Sequence, residues 1–212
     1  MKNYFFDLDG TLTDSADGII NSVIYALSTY GIEETDREAL KSFVGPPLGD
    51  SIMKRYGFSK EKAEEAVSRF RVRFSSIGIF ENAVYEGVEG VLAMLKARGD
   101  RVILATSKPE VYAKRILEHF DLAKYFDYIC GADIEHNARL EKDEVLAYAL
   151  ETCGAEPKAS YMIGDRKYDM AAGKKLGLST VGVLYGYGSR EELADAGADV
   201  ICQTVDELKE VL

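Results

Sequence analysis

The sequence predicts an α/β fold: a parallel sheet covered on both faces by helices, interrupted early by an all-helical insert. Three observations lead there. Short β-branched and aromatic runs alternate with helix-period segments over residues 84–212, the grammar of strand–helix–strand units. The strand runs are apolar throughout, as strands buried on both faces must be. Residues 15–83, in contrast, carry helical periodicity only.

The elements follow in order. Tyr4-Phe5-Phe6 reads as a short buried strand ending at Asp7, and Gly10-Thr11 opens a turn. From Asp17 to Tyr30, Ile20, Val23, Ile24 and Leu27 make one apolar face, with Gly31 as the stop. Residues 37–43 read as a short helix broken by Gly45-Pro46-Pro47, since proline cannot continue the ladder. Leu48 to Tyr56 is helical, and Ser59 caps a long helix with Ala63, Val67, Phe70 and Phe74 on its inner face. A helix over Val88–Arg98 precedes the strand Arg101–Ala105, after which Thr106-Ser107 leads to a helix with Pro109 in its first turn. Further strands are expected at 128–130, 161–163, 179–184 and 200–202, separated by helices at 142–153, 171–176 and 191–196, with 205–212 closing the chain. Residues 1–14 and 84–212 thus form one α/β unit, and 15–83 an insert after its first strand.

Bulk properties narrow the function classes. The formal net charge of −10 disfavours a nucleic-acid polymer as partner. No apolar run approaches the ~20 residues of a membrane helix. The three cysteines form no C-x-x-C pair, so a disulfide framework is not expected and a reducing cytoplasm fits best. Monomer and homodimer are both open.

Ligands of open parallel sheets bind at the carboxyl ends of the strands. Three polar groups fall there: Asp7 with Asp9, Thr106 with Ser107, and Asp165. Crowded carboxylates repel and call for a cation, and an all-oxygen set suits Mg²⁺. Asp169, four residues after Asp165, can face the same ion or brace its neighbour. An EF-hand is excluded, because counting from Asp7 its glycine and glutamate positions are Leu12 and Gly18. Hydroxyls and free amides at a helix start form an anion site, which Thr106 and Ser107 would supply. No Walker loop is present, and Gly186-Tyr187-Gly188 lacks the third glycine of a dinucleotide fingerprint. Lys142 opens a helix, where the macrodipole disfavours a cation, so another demand on it is expected. Arg69 and Arg73 form a basic stripe on the insert, read as a solvated face.

Asp7-Leu8-Asp9-Gly10-Thr11-Leu12-Thr13-Asp14-Ser15 resembles the first motif of the haloacid dehalogenase superfamily. Ala105-Thr106-Ser107-Lys108 resembles the second, Lys142 the third, and Gly164-Asp165-Arg166-Lys167-Tyr168-Asp169 the fourth. Gly45-Pro46-Pro47-Leu48 and Leu184-Tyr185-Gly186-Tyr187-Gly188 resemble its phosphoglycolate phosphatase and 5′-nucleotidase branch. The segment Asp133–Arg139 departs from that branch, which leaves Lys108 as the alternative to Lys142. The resemblance implies a Rossmann-like core with a helical cap and a Mg²⁺-dependent phosphatase of small phosphorylated metabolites. It implies Asp7 as nucleophile and Asp9 as acid and base, with the Asp9 carbonyl, Asp7, Asp165 and Asp169 around the metal. Gly10, Thr106 and Ser107 would bind the phosphoryl oxygens and Lys142 would neutralise charge. A β-phosphoglucomutase-like transferase and a catalytically silent binding module are the rival readings.

Overall fold

The computed structural model describes residues 1–133, 136 and 138–212. The chain divides into two compact units, Met1–Asp14 with Val84–Leu212, and Ser15–Ala83.

The first unit begins with β1 (Asn3–Phe6), whose four residues are all buried, and continues to β2 (Thr13–Asp14). In the second unit lie α1 (Ala16–Ser28), α2 (Arg37–Leu40), α3 (Leu48–Tyr56) and α4 (Lys60–Phe74). After β3 (Ala83–Val84) come α5 (Val88–Ala97), β4 (Arg101–Pro109), α6 (Glu110–His119), β5 (Tyr128–Ala132) and α7 (Lys142–Cys153). The chain closes through β6 (Ser160–Gly164), α8 (Lys167–Leu176), β7 (Ser179–Val183), α9 (Arg190–Asp195), β8 (Val200–Cys202) and α10 (Val205–Val211).

Six strands form one sheet in the order β5-β4-β1-β6-β7-β8. All its pairings are parallel, the α/β class expected from the alternation. From β1 the chain builds outward through β4 and β5, then crosses to the other side for β6, β7 and β8. The reversal of direction beside β1 opens the sheet's carboxyl edge there. Phe6 is level with Leu104 on one side and Ile163 on the other, so Asp7 leaves the sheet beside Ala105 and Gly164. Phe5, Ile103 and Met162 from the three central strands pack with Val145, Leu146 and Ala149 of α7 in the core on one face.

Four expectations need correction. β4 does not stop at Ala105 but runs to Pro109, so Thr106 and Ser107 are strand residues. Pro109 stands at the N-cap of α6, whose first residue is Glu110, not inside its first turn. The cause is a register jump: Thr106 pairs with Gly131 and Pro109 with Ala132, so Ser107 and Lys108 are extra residues bulged out of an otherwise continuous strand. On α4 the buried positions are Ala63, Ala66 and Phe74, with Val67 and Phe70 only half covered. The segment expected as one helix over 37–43 is a single turn of α2 followed by a 3₁₀ turn, Lys41–Phe43. Ser59 caps α4 as expected, its side chain accepting the Lys62 amide. Ile134, Glu135 and Asn137, part of the segment preceding Lys142, lie outside the described residues.

Candidate active site

The site begins with the turn after β1. The Asp7 amide still donates to the Ile163 carbonyl at 2.9 Å, which holds its backbone at the sheet edge. The chain then folds sharply back: the Leu8 carbonyl accepts the amides of Thr11, Leu12 and Thr13, and Gly10 donates to the Thr13 carbonyl at 2.8 Å. Gly10 has φ of +80°, and a side chain there would overlap the Asp165 carboxylate. Glycine is the residue that meets both demands.

Asp165 follows β6 and is fully buried. Its Oδ2 accepts the Tyr187 amide at 2.8 Å, and its Oδ1 faces the Thr11 hydroxyl at 3.4 Å. The loop that brings Tyr187 here runs against Asp165 through Gly186 and Gly188, positions where any side chain would strike Asp165 itself. Asp169, the third helical residue of α8, turns back toward the sheet. Its Oδ2 accepts the Arg166 amide at 3.1 Å, and its carboxylate is fully buried.

Lys142 enters from the start of α7. Its ammonium lies 2.8 Å from Asp7 Oδ1 and 2.7 Å from Asp169 Oδ1, and it donates to the Ala105 carbonyl at 3.1 Å. This is the demand that overrides the dipole. At the α7 N-terminus the Glu144 carboxylate takes the Leu140 and Glu141 amides. Burial alone would push the Lys142 ammonium down; Asp169 and Asp7 more than offset it and hold it up.

Asp7, Asp165 and Asp169 each offer a carboxylate oxygen, and these atoms all lie within 4.8 Å of one another. Burial, with Asp169 and Asp7 adding repulsion, pushes the Asp165 carboxyl well up. Asp169 is pushed up as well, burial and Asp7 outweighing the opposing pull of Lys142. Three buried acids with one ammonium form an oxygen donor set short of positive charge, and that suits a hard divalent cation. The donor chemistry therefore fits Mg²⁺.

Of the residues singled out in the sequence, Asp7, Lys142, Asp165 and Asp169 converge, and Gly10 packs on Asp165. The Asp9 carboxylate is not among the three clustered acids; its Oδ2 lies 2.9 Å from Lys108 Nζ. Lys108 is buried, not the helix-start surface residue that its place beside Pro109 suggests. Thr106 is buried at the same sheet edge, its hydroxyl oxygen accepting the Lys108 amide at 3.2 Å. Ser107 sits in the bulge. Neither opens a helix, so the anion site of a helix start does not apply to them. Arg69 and Arg73 are paired with Glu65 and Glu81.

Two contributors escaped the sequence reading. Thr11 and the Tyr187 amide hold Asp165, and the Tyr187 hydroxyl reaches on to Asp14 at 2.6 Å. A Gly-x-Gly just past a strand at the carboxyl edge of a parallel sheet was the available signal, since it marks a close backbone approach.

The profile of haloacid dehalogenase-like hydrolases matches residues 4–183. A 5′-nucleotidase of Pseudomonas aeruginosa is 40% identical over 210 residues, covering 99% of this chain and 95% of that one. The tyrosine-protein kinase PtkA of Mycobacterium tuberculosis is 38% identical, covering 98% of this chain and 71% of that protein. Among solved structures, a predicted phosphatase from Clostridium acetobutylicum superimposes with a TM-score of 0.94 at 46% identity, covering 99% of this chain and 97% of the other. The chain belongs to the family of haloacid dehalogenase-like hydrolases.

Proposed function

We propose that this protein is a Mg²⁺-dependent phosphatase of small phosphomonoesters that works through an aspartyl-phosphate on Asp7. The observation that carries the reading is the meeting of Asp7, Asp165 and Asp169 within 4.8 Å, with Lys142 bridging Asp7 and Asp169. Asp7, Asp165, Asp169 and the Asp9 carbonyl would hold the cation, which when bound screens the approach of one anion to another.

Asp7 supplies the nucleophilic oxygen. Its carboxylate forms a bond to phosphorus as the bond to the leaving oxygen breaks, and Asp9 hands that oxygen a proton. Water then attacks phosphorus, Asp9 takes the proton, and the acyl phosphate bond breaks to free Asp7 and inorganic phosphate. Lys142 orients Asp7 and offsets negative charge that gathers on the transferring group. Gly10, after β1, and Thr106 and Ser107, at the bulge in β4, would bind the phosphoryl oxygens. Residues 1–14 and 84–212 would carry the chemistry, and residues 15–83 would act as the cap that selects substrate.

The name of the Pseudomonas aeruginosa relative puts nucleoside monophosphates first among substrates, with phosphoglycolate second. Free buried thiols at Cys130, Cys153 and Cys202 accord with a cytoplasmic setting.

The test measures phosphate release from nucleoside monophosphates, phosphoglycolate and sugar phosphates, with Mg²⁺ and with chelator, in the wild type and in Asp7→Asn. One further arm supplies ATP and a tyrosine peptide, to examine the activity in the kinase relative's name. Expected is Mg²⁺-dependent release that falls by on the order of a thousandfold or more in the variant, together with a phosphoryl label on the peptide containing residue 7. Isomerised sugar phosphate with no release would replace hydrolysis by mutase chemistry. Turnover surviving in Asp7→Asn would remove the nucleophile assignment.

A further inference from the structure

We propose that Lys108 is a positioning residue for Asp9. It fixes one carboxylate oxygen and so leaves the other as the oxygen that moves the proton. The inference rests on Asp9 being the acid and base of the proposed hydrolysis.

Lys108 Nζ stands 2.9 Å from Asp9 Oδ2, and the lysine side chain is only 4% exposed. Asp9 Oδ1 is buried and accepts no hydrogen bond among the described residues. One oxygen therefore carries the ion pair, and the other is left without a hydrogen bond among the described residues. A lysine at this depth is costly to desolvate, and an apolar residue of similar length would serve packing alone at lower cost. The backbone is arranged to bring it there. Thr106 pairs with Gly131 and Pro109 with Ala132, so three steps along β4 match one along β5. The two unmatched residues are Ser107 and Lys108. Bulges of this kind re-aim a side chain beside a site. Thr106 secures the bulge by accepting the Lys108 amide. Gly131 makes room for it, because a Cβ there would lie 2.7 Å from the Lys108 carbonyl oxygen. A carboxylate on a turn can rotate about its side-chain torsions, and the ion pair with Lys108 favours the rotamer seen for Asp9.

The role can be read from its dependence on the leaving group. An alkoxide leaves only with a proton, whereas p-nitrophenolate leaves without one. The ratio kcat/KM covers steps through cleavage of the ester bond, so it reports the acid step and excludes later hydrolysis of the acyl phosphate. The experiment compares wild type, K108M, K108R and D9N on an alkyl phosphomonoester and on p-nitrophenyl phosphate, with the inhibition constant of inorganic phosphate as the measure of binding. Thermal melting of each variant confirms folding.

Expected for K108M is a loss of about tenfold to a hundredfold in kcat/KM on the alkyl ester, within the range of a general acid. On p-nitrophenyl phosphate the loss stays within about threefold, and phosphate inhibition is unchanged. D9N gives the same pattern with a larger loss, and K108R restores most of the alkyl activity. Equal losses on both esters, or a change confined to phosphate inhibition, overturn the proposal.

Crystal structures of wild type and K108M judge it independently of turnover. The Asp9 carboxylate should swing from its position when Lys108 is removed, and an unmoved carboxylate overturns the proposal. A wild-type protein that releases no phosphate from either ester would instead defeat the hydrolytic reading, and the Asp9 rotamer would still decide the part played by Lys108.

Discussion

Asp165 combines full burial, two like-charged neighbours and, among the described residues, two hydrogen-bond donors, the Tyr187 amide and the Thr11 hydroxyl. Burial, with Asp169 and Asp7 beside it, raises this carboxyl, so its negative charge costs stability in the cation-free fold. Asparagine at this position keeps an oxygen for those donors and removes the charge. Calorimetry with and without Mg²⁺ should therefore show Asp165→Asn melting above the wild type in chelator. Saturating Mg²⁺ should raise the wild-type melting temperature, by about 3 kcal/mol of stability at a hundred times the Kd, and leave the variant unmoved. A variant that responded to Mg²⁺ as strongly as the wild type would remove Asp165 from the metal site. The sequence named this residue from its position after an apolar strand. It could not name Thr11 and Tyr187 as its partners, because the three segments meet only through strand order.

Among the elements, α3 depends on an acid outside it. Glu34 accepts the Tyr56 hydroxyl at 2.6 Å, the Asp36 amide at 2.9 Å and the Arg55 guanidinium at 2.8 Å. These bonds, Tyr56 first, hold its carboxyl down at about 2, against an ordinary 4.5. A carboxyl depressed by folding stabilises the fold above its unfolded value, and that contribution disappears as the pH falls through its folded value. Melting curves of wild type and Glu34→Gln should differ most at neutral pH and converge between about pH 4.5 and 2. A gap that stayed constant across that range would show that Glu34 acts through shape alone. The strands and helices were legible in sequence because their periodicity is local. Chain ends and bulges were not. β4 overruns its expected end by four residues because Gly131, a residue of the neighbouring strand, permits a bulge there.

At the scale of the whole molecule, Cys130, Cys153 and Cys202 are each nearly fully buried in the α/β unit. Burial pushes the Cys130 thiol up to about 12 and Cys202 to about 11, so little thiolate is available to a reagent. A thiol-specific probe should label the native protein slowly and all three cysteines promptly in denaturant, with the native rate following the opening of the fold. Rapid labelling of the native protein would show this core to be looser than its packing implies.

The sequence by itself determined the class of the fold, the order of its elements and which acids stand at strand ends, since all three are written in short-range pattern. It left open whether Lys108 or Lys142 faces Asp7. Only the tertiary structure decided that. The order of β4, β1 and β6, the packing of α7 and the bulge in β4 send Lys142 to Asp7 and Asp169, and Lys108 to Asp9. The physical reason is that the pairing of parallel strands distant in sequence depends on how whole layers bury their apolar faces, a sum over the fold that no local run of residues records.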